Sequence, residues 1–190
     1  MRVLTGVLLV LLLVCGADRA VRAYPMPPYT TAEEPPQPGL LHGLAWLADR
    51  ATDLMRDLRV LALMARAQDA MLGSRFDAAY TDLTAAISLD PTNPALYVMR
   101  GQASLALYAW DASEADYNWA LALDPGYADA YFYRGVLRYS ILQTGLGLRT
   151  AAQADFEQYL SLAPQGRHAA EAARYAESIQ RELDALTGDA

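Results

Sequence analysis

Lysine is absent from this sequence: all 15 basic residues are arginines, and 22 acidic residues outnumber them. Without a lysine amine the chain can form no Schiff base and cannot complete a phosphate-binding P-loop. The net charge of −7 makes nucleic acid and anionic lipid poor partners, because both repel an acidic surface. We therefore expect no nucleic-acid partner.

Histidine and cysteine are almost as scarce, with two histidines and one cysteine. His42 and His168 stand far apart, and neither has a second histidine or a cysteine nearby, so the pattern predicts no metal site. No glycine-flanked serine accompanies either histidine, so nothing indicates a nucleophile triad. We expect no enzyme activity, no cofactor and no metal.

An apolar run of 15 residues follows Met1 and Arg2, which is short for crossing a bilayer. Together with the small residues after it, this run predicts a secretory signal peptide over residues 1–23, cut after Ala17 or Ala23. The alternatives are retention as a signal anchor and lipidation at Cys15, and an N-terminal anchor of this kind is the one expected route to a membrane. Against lipidation, Val14 departs from the small residue that such signals prefer. We expect a protein of the periplasm, the cell envelope or the extracellular space.

Residues 24–39 contain six of the ten prolines. Proline at this density blocks helix formation and favours an extended spacer, so we expect a linker. A stalk above a membrane and a ligand for a proline-reading domain are the functional alternatives.

From residue 40 onward, apolar and small residues recur at three- and four-residue steps, which predicts amphipathic helices. Three segments end alike, at Leu89-Asp90-Pro91, Leu123-Asp124-Pro125 and Leu162-Ala163-Pro164, with spacings of 34 and 39 residues. A helix pair that recurs with a fixed terminator is typical of a helical repeat array. We predict an all-α solenoid with units at 60–93, 94–127 and 128–164.

Each end of the array is predicted to carry a capping helix, because an end repeat would otherwise leave its outer face bare. Residues 165–190 form the C-terminal cap and tail. Residues 40–59 form the N-terminal cap, with Trp46 buried where it packs on the array. Its apolar face consists of Leu40, Leu44, Leu47, Ala51, Leu54 and Leu58.

The three units resemble the tetratricopeptide repeat family over about 105 residues, 60–164. The matching positions in the middle unit are Tyr97, Gly101, Tyr117, Ala120, Leu121, Leu123 and Pro125. Those in the third unit are Tyr131, Gly135, Ala152, Phe156, Leu160, Leu162 and Pro164, and those in the first are Leu63, Ala67, Ala79, Leu83, Ala86, Ile87, Leu89 and Pro91. The resemblance implies a right-handed α-α superhelix of helical hairpins.

Small residues of each first helix are predicted to face large residues of the second, so that the two helices pack closely. The pairs are Ala67 with Leu83, Gly101 with Tyr117 and Gly135 with Phe156. The third unit is five residues longer, and we place the insertion in a loop at 143–149. This loop follows a helix and no lysine follows it, so it is not expected to bind phosphate.

Arginines 66, 100 and 134 each precede the small residue of a first helix, and aspartates 82, 116 and 155 each precede the large residue of a second helix. The separations of 16, 16 and 21 residues differ only by the insertion. We predict one structural ion pair per unit: Arg66–Asp82, Arg100–Asp116 and Arg134–Asp155. The alternative is a row of arginines that receives an acidic partner.

In the tetratricopeptide family, the first helices of successive units line a concave groove that accepts extended or helical peptides. By the register of the resemblance, the groove would here be lined by Met64, Gln68, Met71, Val98, Gln102, Leu105, Phe132, Val136 and Tyr139. The lysines and asparagines with which some members clamp a carboxylate are missing at these positions. Such an apolar groove suits a hydrophobic peptide or an amphipathic helix. The alternative is that these residues form core.

These expectations combine into an exported protein–protein interaction module or scaffold that binds a protein or peptide. Two alternatives remain: a self-associating structural component of the envelope, and a non-catalytic accessory subunit of an enzyme or secretion assembly.

Overall fold

The computed structural model describes residues 40–141 and 146–187, which form seven α-helices and no strand. The helices are α1 (Leu40–Leu72), α2 (Phe76–Leu89), α3 (Pro94–Ala106), α4 (Trp110–Leu123), α5 (Ala128–Ile141), α6 (Leu146–Leu162) and α7 (Ala169–Thr187). Successive helices pair as hairpins, and α7 packs on α6. The predicted all-α array of helical hairpins is confirmed.

Several sequence predictions concern residues outside this range. The signal peptide, the proline-rich linker and the last three residues of the tail lie outside the described residues. The predicted loop at 143–149 is partly helical, because α6 already begins at Leu146. No helix among the described residues is both long and apolar enough to cross a membrane.

The recurring terminators turn the chain in the same way at two junctions. Each proline ends the preceding hairpin, and its carbonyl accepts a hydrogen bond from a tyrosine of the next first helix. Tyr97 donates to the Pro91 carbonyl at 3.0 Å, and Tyr131 donates to the Pro125 carbonyl at 3.3 Å. At the first junction Asn93 also caps α3, because its side-chain oxygen accepts from the Ala95 N–H at 3.1 Å.

The buried core runs along the array as three clusters, and each includes the helix that follows the hairpin. The first joins α1, α2 and α3, the second joins α3, α4 and α5, and the third joins α5, α6 and α7. Each unit therefore buries its apolar residues within its own hairpin and against the next helix along the array, as expected of a repeat array.

Within two of the hairpins, a glycine lets an aromatic ring lie directly on the backbone of the paired helix. A Cβ atom at Gly101 would lie 2.6 Å from Cε1 of Tyr117, and one at Gly135 would lie 3.0 Å from the Phe156 ring. In the first unit Ala67 and Leu83 are both fully buried in one cluster, so the smaller leucine leaves room for a methyl group. The predicted matching of small and large residues is present in all three units.

The N-terminal end differs from its prediction. Residues 40–59 do not form a separate cap, because α1 continues without a break into the first helix of unit 1. Every residue from Asp49 to Arg59 is exposed, and Trp46, predicted to be buried, is 63% exposed. The reason is that residues 44–72 contain neither glycine nor proline, so nothing turns the segment back onto the array.

We expect Gly101→Ala to destabilise the array by about 1 kcal/mol. Overpacking costs about 1–3 kcal/mol, and the better helix propensity of alanine offsets about 1 kcal/mol of it. Adding Tyr117→Leu recreates the Ala67–Leu83 combination of the first unit, so the double variant should lose less than the two single variants together. Urea unfolding of the four proteins measures the coupling. Strictly additive losses would show that Gly101 is not required by the ring.

Candidate functional site

The three ion pairs predicted from the repeat register form in the structure. Their shortest nitrogen–oxygen distances are 3.1 Å for Arg66–Asp82, 2.6 Å for Arg100–Asp116 and 2.6 Å for Arg134–Asp155. In the second pair the Arg100 guanidinium donates to both carboxylate oxygens of Asp116, at 2.6 and 3.0 Å. Such a bidentate geometry is the strongest form of this contact.

Arg100 and Arg134 also reach back to the preceding hairpin. Arg100 donates to the Thr84 hydroxyl on α2 at 3.4 Å, and Arg134 donates to the Asn118 side chain on α4 at 2.7 Å. Their side chains are only 18% and 17% exposed. Arg66 stands in the first unit, which no hairpin precedes among the described residues, and its side chain is 69% exposed. The two inner arginines therefore join neighbouring units, and the outer one does not.

A fourth arginine extends this network and was missed in the sequence. Arg138 donates to Asp155 at 2.7 Å and to Glu114 on α4 at 2.9 Å. Arg138 follows Arg134 by four residues and so lies on the same face of α5, a spacing that could have indicated a shared aspartate partner. Because the guanidinium groups of Arg100, Arg134 and Arg138 are held by carboxylates, they do not form the alternative row that would receive an acidic partner.

Two of the nine predicted groove residues are buried. Val98 is 3% exposed and Phe132 is 2% exposed, so their prediction as groove-lining residues is wrong. Val98 packs in the core with Ala130 and Leu137 of α5. The other seven keep accessible surface: Gln68 is exposed, and Met64, Met71, Gln102, Leu105, Val136 and Tyr139 are partly exposed.

Phe132 is covered by the segment that leads into α7. The His168 ring stacks on it with 4.0 Å between ring centroids and 7° between ring planes. Burial, and after it the neighbouring Arg167 cation, lowers the pKa of His168, so the imidazole is held neutral against the ring. The sequence assigned α7 a capping role but did not show which groove position it would cover.

The accessible part of the groove ends in a cleft of about 280 Å³ between α5 and α7. Its walls are Tyr139, Glu171, Arg174, Tyr175 and Ser178. The rings of Tyr139 and Tyr175 lie 5.1 Å apart at an angle of 57°. Burial raises the pKa of Tyr175, which keeps its hydroxyl protonated and able to donate a hydrogen bond.

The four cleft residues on α7 were not predicted, although the sequence carried a signal for three of them. Glu171, Tyr175 and Ser178 follow Phe132, Val136 and Tyr139 by 39 residues, which is also the spacing of the last two terminators. Extending that register into α7 would have placed them on the groove side. Helix α7 therefore occupies the place of a fourth first helix.

The cleft offers two aromatic rings, a guanidinium group, a carboxylate and two kinds of hydroxyl. This mixture suits the recognition of an amphipathic side chain or peptide segment better than a reaction. Within residues 40–141 and 146–187, no group of three or more metal-binding side chains comes together.

Comparison with known proteins places the fold among solved structures. No protein-family model and no curated protein matches the chain. The first TPR of Spaghetti (RPAP3) bound to HSP90 peptide SRMEEVD is 28% identical, with a TM-score of 0.58, and the match covers 66% of this chain and 94% of that one. The Arabidopsis OM64 TPR domain is 27% identical, with a TM-score of 0.57, over 65% of this chain and 98% of that one.

A third structure is more distant in sequence and shows the fold alone. The Yersinia enterocolitica type III secretion chaperone SycD, in complex with a peptide of the translocator YopD, is 13% identical. Its TM-score is 0.57, and the match covers 64% of this chain and 92% of that chain.

We expect Asp116→Asn to lower the free energy of unfolding by about 3 kcal/mol, because it leaves the largely buried Arg100 cation without its counterion. Asp82→Asn removes the matching group from the exposed Arg66 and should cost less than about 1 kcal/mol. Urea unfolding of both variants tests the difference. Equal losses would contradict the conclusion that only the inner pairs join units.

Proposed function

We propose that this chain, which is a tetratricopeptide repeat protein, is a non-catalytic module that binds a peptide segment of a partner protein. The observation that carries the proposal is the amphipathic cleft between α5 and α7, at the end of the line of accessible groove residues. The similar Spaghetti and SycD structures were solved with bound peptides, which supports this use of the fold.

The side chains of the groove define the chemistry of the bound segment. An apolar or aromatic side chain packs against the paired rings of Tyr139 and Tyr175, which contact each other at the mouth of the cleft. Leu105 and Val136 extend the apolar contact, and the Gln102 amide can pair with a peptide backbone. The segment is thus a hydrophobic peptide or one face of an amphipathic helix.

An acidic group next to this apolar or aromatic side chain is the second feature that we expect of the bound segment. Arg174 lies at the cleft with its side chain exposed. The chain has no lysine, and Arg100 and Arg134 are bound to their aspartates. Arg174 is therefore the cation that the cleft itself offers to a carboxylate of the partner, and Glu171 beside it disfavours a second one.

To test the groove, the photoreactive residue p-benzoylphenylalanine replaces either Gln102 on α3 or Ser178 on α7, in the producing cells. Illumination should link both positions to the same segment of one partner, which mass spectrometry of the linked peptide identifies. Placement at Trp119 is the matched control, since this residue is 60% exposed on the outer helix α4. Labelling of that segment from Trp119 alone would place the binding surface elsewhere.

The identified segment is then made as a synthetic peptide and titrated calorimetrically. We expect Tyr139→Ala and Arg174→Glu each to weaken binding by roughly tenfold, which corresponds to about 1.4 kcal/mol. Arg181→Glu makes the same charge change on an exposed residue of α7 outside the cleft and should leave the affinity within about twofold. Equal effects of the two arginine variants would assign the loss to net charge.

We further propose that the protein acts after export, as a scaffold in the cell envelope or outside the cell. The support is the layout of the first 23 residues, where one arginine precedes an apolar run and small residues. N-terminal sequencing of the protein from its host should begin at Asp18 or Tyr24. A sequence beginning at Met1 on membrane-bound protein would instead identify a signal anchor, and a lipidated Cys15 would identify a lipoprotein.

A further inference from the structure

Helix α1 carries an apolar stripe that the repeat array does not cover. Its apolar positions alternate by three and four residues through Ala51, Leu54, Leu58, Leu61 and Ala65, and the spacing continues through Gln68 to Leu72. All seven of these residues are exposed, and the exposed fraction of the four leucines runs from 43% at Leu54 to 84% at Leu72. In the sequence the same spacing extends back to leucines at 47, 44 and 40.

The array uses a different face of the same helix. Val60, Ala67 and Ala70 are buried in the first core cluster with Leu83 of α2. From Val60 onward the stripe is a second apolar face, because another face of the same helix is already buried against the array. Between Asp49 and Arg59 the whole helix is exposed, and the stripe is its apolar face.

The spacing of the stripe identifies the type of surface that it fits. Alternation by three and four residues is a heptad repeat, and from Ala51 to Leu72 it gives a seam about 32 Å long. A helix with 3.6 residues per turn keeps such a seam facing a partner only by winding around another helix. Residues 40, 47, 54 and 61 are all leucine, as expected for one core position of a coiled coil.

We propose that α1 pairs with α1 of a second copy of this chain in an antiparallel two-stranded coiled coil, so that the protein is a dimer. This proposal rests on α1 alone and does not depend on the peptide-binding cleft. The antiparallel arrangement follows from two further properties of the stripe, the alternation of its large and small residues and the charges beside it.

Side-chain size favours antiparallel pairing. When Ala51 of one copy lies opposite Leu54 of the other, Leu54 lies opposite Ala51 by the two-fold symmetry. The same register matches Leu58 and Leu61 with the leucines that the sequence carries at positions 47 and 44. A parallel, in-register pair would instead place alanine opposite alanine at positions 51 and 65, which would leave two underpacked layers in the coiled-coil core.

Charge complementarity selects the same arrangement. Arg50 and Asp57 both flank the seam on one side, seven residues apart. In the antiparallel register Arg50 of each copy lies near Asp57 of the other, which forms two opposite-charge contacts. Within its own chain Asp57 has a 3.7 Å contact with Arg56, with both side chains at least half exposed, so it can take a second partner. In a parallel pair Arg50 would lie next to the uncharged Met55.

The first test measures the mass of the full chain in solution by sedimentation velocity over a range of concentrations. We expect the mass of two chains, decreasing to that of one on dilution. Leu58→Glu places a charge in the seam and should raise the dimer dissociation constant at least about 100-fold. Because Leu58 lies outside the core of the array, the urea midpoint of the monomer should not change, which separates lost association from misfolding.

Leu72→Glu is the matched control that distinguishes the two orientations. Leu72 continues the heptad spacing and is the most exposed leucine of the stripe. In the antiparallel register it lies beyond the overlap of the two helices, so its replacement should leave the dissociation constant within about twofold. In a parallel dimer it lies inside the seam, and a loss as large as that of Leu58→Glu would overturn the antiparallel register.

A charge exchange tests the contact between the two copies. Arg50→Asp and Asp57→Arg should each weaken the dimer about tenfold, because each sets like charges opposite one another. The double variant should restore wild-type association, and an equimolar mixture of the two single variants should form a heterodimer. A wild-type chain that stays monomeric at every concentration, or one that captures only a different protein through this stripe, would refute the proposal.

Discussion

The contact on which the array depends is the largely buried ion pair between each inner first helix and its second helix. Arg100 illustrates it: the guanidinium is held by Asp116 of its own hairpin and reaches Thr84 of the preceding one. A charge in this position is tolerated only while its counterion is present, because water is largely excluded. The glycine–aromatic contacts depend on the same close approach, since Gly101 and Tyr117 directly follow the paired charges in the chain.

The two ends of the array are closed differently, and this difference gives the molecule two surfaces. At the C-terminal end α7 covers Phe132 through the stacked His168 and supplies most of the walls of the cleft beside Tyr139. At the N-terminal end of the described residues no hairpin precedes the first unit, Arg66 is exposed, and α1 has an exposed apolar stripe. In the proposed functions, the cleft at the C-terminal end binds a peptide, and the stripe of α1 at the N-terminal end binds a second copy of the chain. A dimer of this kind would present two peptide sites, and two weak contacts with one bivalent partner would then reinforce each other.

The errors in the sequence reasoning have one physical origin. Val98 and Phe132 occupy helix positions equivalent to that of Met64, which keeps accessible surface, so periodicity alone could not separate them. Their burial depends on how far residues of the following helix extend over them. Trp46 shows the opposite error, because its large apolar side chain suggested a core position, yet no other element of the described residues covers it.

The sequence by itself determined the helices, the repeat lengths and the pairing of charges. Helix period and proline terminators are local properties, and the separation of arginine and aspartate recurs at 16 residues except for the five-residue insertion of the third unit. Only the tertiary structure decided which apolar residues remain accessible and what forms the cleft. Accessibility depends on how far the following part of the chain extends over each position, which is α5 for Val98 and the segment leading into α7 for Phe132. The spacing of three and four residues along α1 was likewise visible in the sequence, but only the fold showed that the array leaves that face uncovered.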